Sequence, residues 1–465
     1  MKQKIKQKTQ IDIIIPIVFA ISMIVPIIAS LSQYYIVGYA DDIVWINWAR
    51  EHGTNIIDIL TAKLGTGFRP MMSIWYAIGY ALWGSTPMYY YLLSGLLFSG
   101  SMVFLYLLGK TLHSKSAGFI AVLTYLILDA SFILVSKINF IATTGELFFL
   151  LLAIYFSIQY FKTNSKTSMW LGITMSGFAF LSKEPSLLII PAVNLTYLFF
   201  SKTSTKKRLL INIVPFIYLS ILYFFITPDI GAGNASLTER MNFYFTTEFE
   251  TQFKTGILLL IVTVVSWYYM YINKLRTEIL LCGAISAFGF LPLLITQQPV
   301  QPTYLAEANL GMVLLIGIII SESVKKNNII LGLVIIGILA QVTIVPGQIS
   351  NMQKYNHMIS DNQKTFFETV ESIKTLPENE PVFYLPDATR QKYGGMQINE
   401  DFFHDYLCIR NLCNTEVTTN YSAASYIILP STLDTQIFKQ EYPNETVGVI
   451  TQINHGGDYG FILKR

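Results

Sequence analysis

Eleven apolar runs fill most of the first 345 residues, at about 12–33, 88–109, 117–135, 144–161, 168–182, 185–200, 209–227, 255–272, 278–296, 304–323 and 328–345. No soluble core needs so many. A helix crosses the ~30 Å hydrocarbon layer in roughly 20 apolar residues, and it can do so because its backbone polar groups are satisfied within the segment. The pattern therefore implies a polytopic α-helical membrane protein with about 11 transmembrane helices. The two runs on either side of Lys183 are short, and the stretch Met71 to Trp83 is too short to span, so it is expected to lie in the interface or dip into the bundle. Charge content agrees: 13% of residues are charged, against about 25% in ordinary soluble domains.

Basic residues set the expected orientation. The N-terminus and the loops near 110–115, 162–166, 201–208, 273–276 and 325–326 carry 4, 2, 2, 4, 2 and 2 Lys+Arg, whereas the alternate short loops carry seven in all. By the positive-inside rule the N-terminus is cytoplasmic, and an odd number of spans leaves the last 120 residues outside. A multi-pass protein of the plasma membrane with an extracytoplasmic C-terminal domain follows. A cleaved signal peptide is the competing reading of the N-terminus, but its apolar run exceeds the usual ~7 to 15 residues of a signal core.

From Gln348 onward the pattern changes. Residues 351–376 have helical spacing, and PVFYLP, ASYIILP, TVGVITQI and YGFILKR read as short strands between turns. The chain thus divides into a membrane domain, 1–345, whose first outer loop, 34–87, carries interfacial helices, and a small α/β domain, 346–465. Cys408 and Cys413, in CIRNLC, form either a small disulfide loop on the outer face or two free thiols.

Asp41 and Asp42 stand together in the first outer loop, in YADDIVWINWAR, and GFRP follows with Arg69. A carboxylate beside hydrocarbon is costly unless it faces water or a partner, so the pair marks a functional site ahead of an ordinary solvated loop. The orientation puts Asp41, Asp42, Arg69, Lys183, Glu184 and the segment TPDIGAGNASLTERMNFYF on one side of the membrane. Trp45, Trp48, Trp75 and Trp83, four of the six tryptophans, fall in the same loop and its short helix, as expected at headgroup level. Other ionisable residues have structural explanations: Glu146 with Thr143 in TTGE has capping-box spacing, and Tyr304 and Glu307 open a span where a carboxylate suits the helix N-terminus. Glu239 and Arg240 read as solvated. Neither a phosphate-binding P-loop nor a dinucleotide fingerprint is present, and the five His form no zinc-type pair. No nucleotide or redox cofactor and no nucleic-acid partner is expected.

In architecture and short motifs the chain resembles the GT-C class of membrane glycosyltransferases, which includes the protein O-mannosyltransferases and aminoarabinose transferases. The acidic pair is similar to the class's acidic signature, and FRPMMSIWYAIGYALWGSTPMYYYLLSGLLFSG looks like the stretch where a basic residue and Pro begin an interfacial helix ending in Trp/Phe-Gly. LSKEPSLLIIP resembles a Lys-Glu segment between two short spans. The likeness covers roughly residues 10–345. It implies sugar transfer from a polyprenyl-phosphate donor to a glycan, lipid or protein acceptor on the outer face.

That chemistry needs little machinery. The leaving phosphate is a stable anion, so one carboxylate to take the acceptor's proton and cations to hold the phosphate suffice. Asp41 is the candidate base, with Asp42 orienting the acceptor or binding a divalent cation such as Mg or Mn. Arg69 is the candidate phosphate clamp, because guanidinium meets phosphate as a bidentate fork; Lys183 is a second, with Glu184 beside it. The rival reading is a multi-pass transporter or lipid flippase, whose mark would be ionisable groups at mid-bilayer; the interiors of the assigned spans are nearly free of them, and the main exception, Asp129, sits toward the outer end of the third span. A receptor or assembly module on a membrane anchor is a third, and eleven spans exceed what an anchor needs.

Overall fold

The computed structural model describes residues 40–61, 63–64, 67–126, 141–183, 185–200, 275–295, 305–326, 364–377, 380–386, 400–409 and 414–465, less 367, 456 and 457, with a few isolated positions besides. The expected spans at 12–33, 209–227 and 328–345, almost all of that at 255–272, Asp129, Tyr304 and the loop holding Glu239 and Arg240 lie outside the described residues. Two compact units are present, one of Met1–Ile28, Thr61–Met72 and Tyr91–Gln348, the other of Ala29–Leu60, Ser73–Tyr90 and Ile349–Arg465.

Chain order gives the elements as α1 (Ala40–His52), α2 (Ile56–Thr61), a minimal hairpin of β1 (Lys63–Leu64) and β2 (Gly67–Phe68), α3 (Pro70–Trp83), α4 (Pro87–Leu112), α5 (Lys115–Leu126), α6 (Ile141–Thr163), α7 (Lys166–Phe180), α8 (Ser186–Phe200), α9 (Arg276–Ile295) and α10 (Ala306–Lys326). Those of the C-terminal region are β3 (Val382–Tyr384), α11 (Glu400–Ile409), β4 (Val417–Thr418), β5 (Tyr426–Leu429), α12 (Thr432–Glu441), β6 (Gly448–His455) and β7 (Asp458–Lys464).

The first unit is built of apolar helices. Tyr89–Leu112, Ile141–Thr163 and Ala306–Ser323 are long and apolar enough to cross a membrane. They coincide with the runs expected at 88–109, 144–161 and 304–323. Without a hydrophobic drive between helices in lipid, close packing depends on small residues that let backbones approach. Gly311 and Gly317 of α10 do this on two sides: a Cβ at Gly311 would lie 2.2 Å from the Cys282 carbonyl oxygen on α9, and one at Gly317 would lie 2.2 Å from the Ala117 carbonyl oxygen on α5. Helices α6 and α7 are joined by a tight turn in which Asn164 takes φ 56°, a left-handed conformation that Asn tolerates. Ser165 then caps α7, its side chain accepting from the Ser168 N–H.

The second unit contains the first loop's helices and the C-terminal α/β fold. Its sheet runs β4-β3-β5-β7-β6. β3 pairs in parallel with β4 and β5, while β7 is antiparallel to β5 and β6. The four expected strand segments all appear, and the apolar core gathers Phe383, Ile427, Leu429, Ile437, Phe438 and Leu463. Helix α12 escaped the sequence reading; Ser431 nucleates it by accepting from the Asp434 N–H at 3.1 Å. Cys408 is disulfide-bonded, Cys413 lies outside the described residues, and Cys282 is a buried free thiol.

Helix α3 behaves as its sequence suggests. Pro70 opens it, its missing N–H being harmless at a first helical position. It ends at Gly84, which takes φ +57° as a helix-terminating glycine does. Tyr76 of α3 and Tyr90 are fully buried, and the Tyr90 hydroxyl donates to the Gly84 carbonyl at 2.8 Å. Trp45 of α1 meets Tyr76 edge-on, 5.4 Å between centroids.

Candidate functional site

Helix direction alone separates two ends in the first unit. The basic residues Lys110, Lys115, Lys162, Lys166, Arg276 and Lys326 sit at one set of helix termini. The opposite set comprises the starts of α6, α8 and α10 and the ends of α5 and α7. There the apolar bundle buries charge. Glu146 and Glu307 are wholly inaccessible and Lys183 nearly so. Lys183 Nζ donates to Glu307 Oε1 at 2.8 Å and lies 4.0 Å from Glu146 Oε2. Glu146 Oε1 accepts from the Ser186 N–H at 2.9 Å, and Ser186 Oγ donates to the Lys183 carbonyl at 2.7 Å.

The local sequence explains each placement. Helix α7 closes with the Leu181 N–H on the Gly177 carbonyl, and the next two N–H groups, of Ser182 and Lys183, both turn back to the Ala179 carbonyl. That tight reversal drives Lys183 inward instead of along the surface. Ser186 is the first residue of α8, so the Glu146 carboxylate satisfies one of its orphan N–H groups and meets the positive end of its dipole. Glu307 stands in the first turn of α10, and the buried Tyr125 hydroxyl donates to the neighbouring Ala306 carbonyl at 3.2 Å. One lysine thus ties the starts of three helices. Burial alone would favour its neutral amine, but the charges of Glu307 and Glu146 and the Glu307 hydrogen bond outweigh both that and the opposing charge of Arg69. The ammonium therefore holds its proton above the ordinary lysine range.

Arg69 belongs to the same unit. It is half-buried and immediately precedes Pro70. The start of α3 is pinned there by the Met71 N–H on the Leu181 carbonyl, 3.0 Å, and by the Met72 N–H on the Arg69 carbonyl, 2.9 Å. The like charges of Arg69 and Lys183 are close enough to act on one another. Asp41 and Asp42 lie in the first turn of α1, in the other unit, and their side chains are outside the described residues, as is Glu184.

One expectation needs correction, and a second holds but lacked its partner. Glu146 does not complete a capping box with Thr143, because α6 already begins at Ile141 and Thr143 is inside the helix; it caps α8 instead. Glu307 does open its helix, but its partner is Lys183, an ion pair that spacing along the chain could not show. The signal available in the sequence was the rule that an ionisable residue in an apolar span has a specific partner. The two carboxylates sit near helix starts, the second and sixth positions of their helices, away from mid-helix.

Comparison with known proteins places this architecture. Residues 69–231 match the family of dolichyl-phosphate-mannose-protein mannosyltransferases, beginning at Arg69. Among solved structures, ArnT from Cupriavidus metallidurans in the apo state superposes with a TM-score of 0.57 at 12% identity, over 96% of this chain and 97% of that one. The fold is shared with that protein along nearly the whole chain. The same ArnT bound to undecaprenyl phosphate matches at 0.54 and 12%, with the same coverage. The fold is also shared with the Archaeoglobus fulgidus oligosaccharyltransferase in complex with Zn and sulfate, at 0.51 and 10%, over 96% of this chain and 72% of that one. No curated protein matches the sequence.

The buried triad does not suit a divalent cation. Its two carboxylates face one another across Lys183, whose ammonium stands where a metal ion would have to sit. Among the described residues no group of three or more His, Cys, Asp or Glu converges.

Proposed function

We propose that the protein transfers a sugar from a polyprenyl-phosphate donor to a glycan, lipid or protein acceptor at the outer face of the plasma membrane. The observation that carries this reading is the GT-C fold along nearly the whole chain, shared with a protein that binds undecaprenyl phosphate. A second support is that the family match opens at Arg69, the cation the phosphate chemistry calls for.

In this reading Asp41 accepts the proton of the acceptor nucleophile as that atom bonds to the anomeric carbon. The bond from that carbon to the phosphate oxygen breaks, and polyprenyl phosphate leaves as an anion. Asp42 orients the acceptor or holds a divalent cation. Arg69 receives the departing phosphate in its guanidinium fork. Lys183 is committed to Glu307 and Glu146, so the clamp rests on Arg69, with Lys183 fixing the turn and helix starts beside it. The N-terminus is cytoplasmic and the C-terminal domain extracytoplasmic.

Asp41→Asn tests the assignment, since the amide keeps the shape and cannot take the proton. Turnover by the purified enzyme should fall by about 10² to 10⁴, with the melting temperature unchanged. Near-normal turnover would remove Asp41 from the mechanism and transfer its role to Asp42.

A further inference from the structure

The helix that carries the acidic pair is held by a helix of the C-terminal domain, more than 350 residues away in sequence. Asn47 of α1 is 5% exposed, and its Nδ2 donates to Asp405 Oδ1 of α11 at 2.7 Å. One turn on, Arg50 Nη1 donates to the Cys408 carbonyl at 3.2 Å. Ile46 and Ala49 are buried beside them. Helix α11 is itself firmly seated. Phe403 is fully buried and stacks on Tyr384 of β3, with centroids 4.1 Å apart and planes 7° from parallel. Leu407 is fully buried, and Cys408, in the last turn, is disulfide-bonded. On another side α1 is met by Tyr76 of α3 through Trp45.

Apolar contact would hold α1 against α11 without fixing its rotation or axial position. A part-buried, charge-assisted hydrogen bond does fix them, because any slip takes the Asp405 carboxylate away from its Asn47 donor. Asn47 lies five and six residues beyond Asp42 and Asp41, a rise of about 7.5–9 Å along a continuous helix, so a displacement at Asn47 is passed to the acidic turn. A catalytic carboxylate must be held within about 0.5 Å of its working position.

We propose that the C-terminal domain sets the position of the acidic pair: α11, anchored on the sheet, clamps α1, and Asn47, Arg50 and Asp405 are positioning residues for sugar transfer. The proposal rests on the reading of Asp41 and Asp42 as the reacting carboxylates, and two independent readouts keep the two apart.

The test uses the full-length protein in nanodiscs, as wild type, N47D, D405N and the reciprocal pair N47D/D405N, in which the donor and acceptor exchange sides. Amide hydrogen exchange is followed over residues 40–52. Turnover is read as release of undecaprenyl phosphate from undecaprenyl-phosphate hexoses and pentoses, and affinity is measured with undecaprenyl phosphate itself. In N47D two carboxylates oppose each other, so exchange over 40–52 should accelerate about tenfold or more and kcat should fall roughly 10- to 100-fold. Undecaprenyl phosphate affinity and protection of the 426–429 strand should stay at wild-type level. N47D/D405N should recover both exchange protection and kcat, which general misfolding would not permit, and D405N alone should fall between. Unchanged exchange over 40–52 in N47D, unchanged kcat despite faster exchange, or failure of the pair to recover would each overturn the proposal. Absence of wild-type turnover with every donor would overturn the transferase reading, and the catalytic half of this proposal with it, while the exchange arm alone would still decide whether α11 braces α1.

Discussion

Lys183 shows how the fold, and not the neighbours in sequence, supplies the partners of a buried charge. Its sequence context, LSKEP between two short apolar runs, marked it as a cation at the outer edge. Only the fold brings Glu307, 124 residues onward, to 2.8 Å and Glu146 to 4.0 Å. Buried ion pairs are expensive to break from one side, because the remaining charge has neither water nor partner. Lys183→Met should therefore cost about 3–5 kcal/mol, read as a large drop in melting temperature in detergent, and Lys183→Arg should keep much of the stability. An unshifted melting point in Lys183→Met would show that the triad does not hold the helix starts together. Arg69 is the contrasting residue, where the effect should fall on chemistry. Arg69→Lys should be partly active and Arg69→Ala nearly inactive, with the loss in donor affinity if the guanidinium holds the ground state, or in kcat if it acts on the leaving phosphate. Donor titration of both variants, with wild-type donor binding and turnover in Arg69→Ala as the disproving result, checks it.

At the scale of elements the sequence was most readable where the apolar run was long. The spans expected at 88–109, 144–161 and 304–323 became α4, α6 and α10, with ends that differ from the runs by one to three residues. Helices α11 and α12 were not read, since ten-residue amphipathic helices have few apolar positions in phase and take their stability from packing on the sheet. Glycine packing was equally invisible, because the neighbour that makes a glycine obligatory lies on another helix. Gly317→Ala would place a methyl 2.2 Å from the Ala117 carbonyl oxygen, whereas Gly283, also in a helix, has open space around it. Gly317→Ala should destabilise by about 1–3 kcal/mol, and Gly283→Ala should be neutral or stabilise by up to ~1 kcal/mol. Paired thermal melts decide, and equal effects at the two sites would mean that α5 and α10 can move apart freely.

The whole molecule's sidedness is the coarsest claim and the simplest to check. Alkaline phosphatase, active only outside the cytoplasm, should be active when fused after Arg465 and inactive when fused after Ser114; the reverse pattern would put the acidic pair and Arg69 on the cytoplasmic side and end the outer-face reading. The α-helical class, the long apolar runs, the charge asymmetry and the change of pattern after Gln348 were legible in the sequence itself, because hydrophobic length and loop charge act locally and need no partner. Tertiary structure alone decided which charges meet. It joined Lys183 to Glu146 and Glu307, made Glu146 the cap of a helix other than its own, and set α1 against α11 through Asn47 and Arg50. Those contacts span 40 to 358 residues of chain. A hydrogen bond or ion pair depends on angstrom distances between side chains, and no periodicity along one segment carries that information.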